Sequence, residues 1–245
     1  SGATHATTYL SKQRGRAIQI VTDYIKDKRY FSIKNLIKTG NLFNVDFIYD
    51  TIPHELNPYD YETAKNNPAK FFVGVINMET SKGEFLRVKD IEEEYMKVCA
   101  SMSLPLIANM VEIDGQRYLD GGIADSLPIQ RSIKKEKKKS VLVLTQDATY
   151  RKKLDKILPL VAIKYRKFPG FVHMVKTRHI RYNASLDQIA EEEKAGRAFV
   201  LRPKKPVKVG RLELNREKML ALYREGYEDG IEAMPRLKAF LEDTC

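Results

Sequence analysis

Asp120 is the side chain whose neighbours best suit it for chemistry, because Gly121 and Gly122 follow it directly. A carboxylate can take a proton from a nucleophile, and a backbone free of Cβ atoms lets it point into a site where another group approaches closely. The plain structural reading of the same three residues is a strand end and a turn, since Asp and Gly are ordinary turn residues. Other reactive types are sparse. The four histidines, His5, His54, His173 and His179, are scattered, and none has a motif around it. Each reads most simply as structural or exposed, although His5 lies one turn into a predicted helix and could line a site. His173 and His179 are six apart, and no cysteine or carboxylate pattern completes a metal coordination set. The two cysteines, Cys99 and Cys245, make neither a disulfide framework nor a zinc cluster and fit a reducing compartment.

The elements around Asp120 follow from local pattern. Met110-Val111-Glu112-Ile113, Asp114-Gly115 and Gln116-Arg117-Tyr118-Leu119 form two alternating runs about a D-G pair, a hairpin signal. Phe71-Phe72-Val73-Gly74-Val75-Ile76-Asn77-Met78 is apolar on both faces and suits a strand inside a sheet, and Ser140-Val141-Leu142-Val143-Leu144-Thr145 is a second buried-strand candidate. Residues 3–13 read as a helix stopped by Gly15, and residues 90–98 as a helix with Asp90 at its N-cap. A short helix is expected from Pro128 to about residue 136. Residues 16–68 give no clear assignment; Ile18, Ile20 and Val21 fit strand or helix, and Asn57-Pro58 and Asn67-Pro68 mark turns. Beyond residue 150 helical spacing dominates, at 154–163, 171–194 and 216–241, with a short segment at 199–201. The whole reads as a mixed α/β layered domain, residues 1–150, followed by a mostly helical region, residues 151–245.

Composition limits the function classes. Of 245 residues 43% are hydrophobic, which excludes a disordered chain, and no apolar run is long enough to span a bilayer. The formal charge is +11, and residues 151–181 hold ten Lys or Arg against one acid, Asp155, so +9 of the total lies there. Residues 134–139 add five lysines and one glutamate. These runs read either as solvated faces or as a surface for anionic phospholipid or nucleic acid.

The segment from Tyr118 to Pro128 resembles the Asp-Gly-Gly or Asp-Gly-Ala motif of the patatin-like phospholipases, acyl hydrolases with a Ser-Asp dyad. Ala100-Ser101-Met102-Ser103-Leu104-Pro105 is similar to the Ser-rich stretch that precedes the family's hairpin. Ser126 stands where the family often has Asn, which bears on one supporting hydrogen bond and not on Asp120. Ser1-Gly2-Ala3 resembles the second half of the family's Gly-x-Ser-x-Gly nucleophile elbow, which leads from a strand into a helix. With Gly2 closing that motif, Ser1 is its variable residue and the nucleophile immediately precedes residue 1. The competing assignment makes Ser1 the nucleophile, but that spacing needs a glycine where Ala3 stands. Segments 178–183, 199–203 and 222–227 resemble the C-terminal region of a bacterial patatin-like subfamily.

The resemblance implies a three-layer α/β/α core, here without its first strand and glycine-rich oxyanion loop, and a helical region packed on it. It implies hydrolysis of a lipid ester or phospholipid with Asp120 as base, Gly2, Gly121 and Gly122 as structural support, and no metal or organic cofactor. A serine hydroxyl is a poor nucleophile until a base takes its proton, and partial burial should lift the Asp120 pKa toward the working pH. A cytoplasmic enzyme in peripheral contact with anionic membrane fits the charge. The second class is a non-catalytic basic module that binds nucleic acid or anionic membranes; no recognition-helix or RNA-binding signature supports it.

Overall fold

The computed structural model describes residues 2–134, 139–210 and 213–243. They form a mixed α/β structure with a helical C-terminal part. The chain divides into two compact units, Ser1–Ser126 with Leu154–Arg178, and Leu127–Lys153 with His179–Cys245.

The first unit is built on a four-stranded antiparallel sheet in the order β2-β1-β4-β3, with β1 Phe71–Asn77, β2 Gly83–Val88, β3 Val111–Ile113 and β4 Gln116–Asp120. The Phe71 run is therefore central, as its two-sided hydrophobicity predicts. Asp114 (φ 50°) and Gly115 (φ 73°) both lie in the left-handed region, the conformation a two-residue hairpin turn needs. One sheet face places Ile76 and Leu119 against Val161, Tyr165, Phe171 and Val175 of helices α7 (Leu158–Lys164) and α8 (Pro169–Lys194). The opposite face places Val75 and Tyr118 against Cys99 and Ala100 of helix α5 (Tyr95–Ala100). Helices cover both faces of the sheet, so this unit is layered as the resemblance implies.

Several boundaries differ from the sequence reading. Helix α1 is Gly2–Leu10, and Lys12, left-handed at φ 56°, ends that stretch. Gly15 instead opens the next helix, α2 (Arg16–Tyr24), so Ile18, Ile20 and Val21 are helical. Helix α3 (Ile33–Thr39) is capped by the Ser32 hydroxyl, a π-helical stretch covers Phe47–Leu56, and helix α4 (Tyr61–Lys65) is capped by Asp60. Asp90 caps a turn rather than a helix: its carboxylate accepts the Glu92 and Glu93 N–H groups, and α5 begins only at Tyr95. Helix α7 begins at Leu158, four residues later than its spacing predicts, with Pro159 in its first turn.

The second unit holds α6 (Ile129–Lys134), a two-stranded parallel pair of β5 (Ser140–Val143) and β6 (Ala198–Leu201), the later part of α8, and α9 (Arg216–Glu242). The expected buried strand at residue 140 is thus a short one. Val141 is 44% and Val143 74% exposed, because a single neighbouring strand cannot cover both faces. The lysine-rich residues 135–138 and the second cysteine, Cys245, lie outside the described residues. Lys139 is described, and its ammonium donates to the Phe240 and Asp243 carbonyls, complementing the negative end of α9.

Candidate active site

Asp120 closes β4, opposite Val75 of β1 in the register. Its N–H turns away from β3 and donates to the Ser103 carbonyl at 2.9 Å. The strand end is therefore pinned by the loop that leaves α5. That loop is tightly made: the Ser103 hydroxyl is buried and donates to the Cys99 carbonyl at 2.9 Å, and Leu106 takes a left-handed φ of 74°. A branched residue in that region stores strain that the surroundings must hold. Here the Leu106 N–H donates to the Tyr165 hydroxyl at 3.3 Å.

Residues 120–123 form one short helical turn that the Asp120 side chain caps, its Oδ1 accepting the Gly122 N–H at 2.7 Å. Oδ2 receives no hydrogen bond from the described residues, so one oxygen is held and the other keeps its accepting capacity. The two glycines have separate reasons. A Cβ at Gly121 would lie 2.3–2.5 Å from the backbone of Gly74 and Val75, so the turn packs directly on β1. The close approach expected at this motif is thus made by the protein's own central strand. A Cβ at Gly122 would stand 3.0 Å from the Asp120 carboxylate and 3.5 Å from the Arg178 guanidinium.

Arg178 enters the sequence reading as one charge of a basic stretch and as the first residue of a segment resembling the family's C-terminal region, with no link to Asp120. Its Nε donates to the Gly122 carbonyl at 2.6 Å, Nη2 reaches the Ser126 hydroxyl at 3.4 Å, and Nη1 lies 3.6 Å from Asp155. Both partners of that ion pair are largely shielded from solvent. Ser126, where the family often has Asn, donates to the Gly122 carbonyl at 2.5 Å, so it supports the same turn by another route. An acid in an otherwise basic segment, Asp155, was the signal that could have drawn attention to Arg178.

The other sequence candidates are placed as follows. Ser1 lies outside the described residues. Gly2 is exposed in the first turn of α1, and a Cβ there would meet nothing within 4 Å. That first turn is tied toward Asp120 through two links: the Thr4 hydroxyl donates to Met102 Sδ, and Met102 precedes the Ser103 that accepts the Asp120 N–H. Tyr49 also donates to Met102 Sδ, at 3.3 Å, and burial pushes its phenol well above the ordinary value. None of the four histidines hydrogen-bonds Asp120 among the described residues. His5 and His173 are exposed, and His54 stacks on Tyr61. Burial pushes the Cys99 thiol up to about 11, so it is a poor nucleophile near neutrality. Among the described residues no three His, Cys, Asp or Glu side chains group as metal ligands. A polar hollow lined by Lys12, Asp60, Glu62, Thr63, Asn66 and Asn67 does not include Asp120.

The family of this layered α/β unit, with its Asp-Gly-Gly turn seated on the central strand, is shown by comparison with known proteins. A family model described as patatin-like phospholipase matches residues 1–132, more than half of the 245-residue chain, and the chain belongs to that family. A second model, described as a domain of unknown function, matches residues 168–242. The uncharacterized protein YjjU of Escherichia coli (strain K12) is 23% identical over 150 residues, covering 59% of this chain and 41% of YjjU. The chain therefore spans about two fifths of the length of that curated relative.

Proposed function

We propose that this chain carries the base of a serine-dependent lipid acyl hydrolase and that Asp120 is that base. The observation that supports it is the state of the carboxylate, with Oδ1 fixed by the Gly122 N–H and Oδ2 unpartnered among the described residues. The nucleophile is a serine at the head of α1, which the elbow spacing puts immediately before Ser1. Its hydroxyl proton passes to Asp120 Oδ2 as the oxygen forms a bond to the ester carbonyl carbon and the carbonyl electrons move onto oxygen. Collapse of that tetrahedral species breaks the ester C–O bond. The leaving alkoxide takes the proton back from Asp120, leaving an acyl-serine that water hydrolyses with the same carboxylate as base. The substrate is a lipid ester or phospholipid, met at an anionic membrane surface.

Asp120→Asn in the native protein should lower hydrolysis of a soluble p-nitrophenyl ester about 10²–10⁴-fold. The far-UV spectrum should be unchanged, since an amide oxygen can still accept the Gly122 N–H. An unaltered rate would remove the mechanism. Labelling with a fluorophosphonate and peptide mapping should find the tag on the serine preceding Ser1. A tag on Ser1, Ser103 or Ser126 would overturn that placement.

A further inference from the structure

The strand and turn that hold Asp120 are braced by a segment of the same unit whose outer side chains are exposed. In α7 the inner side chain Val161 is fully buried, and Ile157 and Leu158 pack against the core formed by Ile76, Leu119 and Phe171. Tyr165, directly after the helix, is buried as well. The segment is therefore a fixed platform rather than a loose loop. On it, Leu160 is 60% and Ile163 66% exposed, three residues apart and so neighbours on the helix surface. Around them Lys156, Lys164, Arg166 and Lys167 are all exposed, residues 156–167 contain no acid, and none of the four cations joins an ion pair among the described residues.

We infer that the outer face of α7 and its flanking turns, residues 156–167, docks the protein on an anionic lipid surface, with Leu160 and Ile163 entering the acyl boundary and the four cations meeting the headgroup phosphates. The inference deepens the lipid reading of Asp120 and rests on it for the choice of occupant. The charge is complementary to an anionic bilayer. The two aliphatic side chains separate a bilayer from nucleic acid, because a phosphodiester backbone offers them nothing to enter. The face is also mechanically joined to the site. Asp155, beside Lys156, pairs with Arg178, and Arg178 donates to the Gly122 carbonyl of the turn that Asp120 caps.

Co-sedimentation of the native protein with vesicles tests it, using phosphatidylcholine alone and an equal mixture with phosphatidylglycerol. Binding should be found on the mixed vesicles and be weak on phosphatidylcholine. Leu160→Ser with Ile163→Ser should lower the partition coefficient about tenfold or more. Each of Lys164→Gln and Lys167→Gln should lower it about fivefold. Because these four positions face solvent, the rate on a soluble ester should not change. Asp120→Asn should bind vesicles as the native protein does, so a failed catalytic reading and a failed docking surface give different results. No binding to the mixed vesicles, or equal binding to both kinds, overturns the inference. So does full binding by the Leu160→Ser/Ile163→Ser protein, which would leave a purely electrostatic surface of the kind nucleic acid also uses.

Discussion

The two units of this chain hold themselves together by different means. Around Asp120, backbone packs on backbone: the Gly121 turn sits on Gly74 and Val75, the Asp120 N–H reaches the Ser103 carbonyl, and helices seal both faces of a four-stranded sheet. In the second unit, Ala233 is the one buried residue described in the 27-residue helix α9. The unit's surface carries ion pairs such as Arg197–Glu192 and Arg202–Glu193, each with one partner open to solvent. Such pairs each contribute about 0–1 kcal/mol, whereas a backbone fit admits no extra atom. The first unit therefore fixes a geometry, and the second tolerates change.

The sharpest way to break that contrast is one methyl group. Gly121→Ala places a carbon 2.3 Å from the Gly74 carbonyl carbon, so the turn or the central strand must move. The expected cost is about 3 kcal/mol or more, read as a lower urea midpoint, with Asp120 displaced from its position opposite Val75. A melting curve within error of the native one would mean that the turn can shift cheaply and that the site is not held as described.

Arg178→Met should cost about 2–3 kcal/mol, because it strips a donor from the Gly122 carbonyl and strands the shielded Asp155 carboxylate. The companion change Asp155→Asn should restore part of that loss by removing the stranded charge. Arg178→Lys should not, since an ammonium cannot present the planar fork that serves Gly122, Ser126 and Asp155 together. If the two single losses simply add, the pair is not acting as a unit.

How much of this was legible depended on whether the signal was local. The hairpin at Asp114-Gly115, the central strand at Phe71 and the motif at Asp120 are each written in consecutive residues, and all three elements are present where their patterns put them. Gly15 misled because a glycine can open a helix as well as end one, and a lysine in a left-handed conformation did the ending. Residues 140–145 misled because an apolar run reports the wish to be buried and not the number of neighbouring strands. The partners of the turn were out of reach for another reason. That Gly121 serves the approach of Gly74, and that Arg178 reaches Gly122 from 56 residues away, are tertiary facts carried by no spacing.

The smallest expected effect runs in the opposite direction. Gly226 lies exposed in the middle of α9, and a Cβ there would meet nothing within 4 Å. A glycine inside a helix costs about 0.5–1 kcal/mol relative to alanine, through the backbone freedom it loses on folding. Gly226→Ala should therefore stabilise by about that much, seen as a small rise in the urea midpoint, so the same substitution that damages the sheet unit improves the helical one. The sign decides the matter more than the size. A destabilised Gly226→Ala protein would show that the α9 backbone is approached closely by something at that position, and the second unit would then also be built on fit rather than on exposed charge.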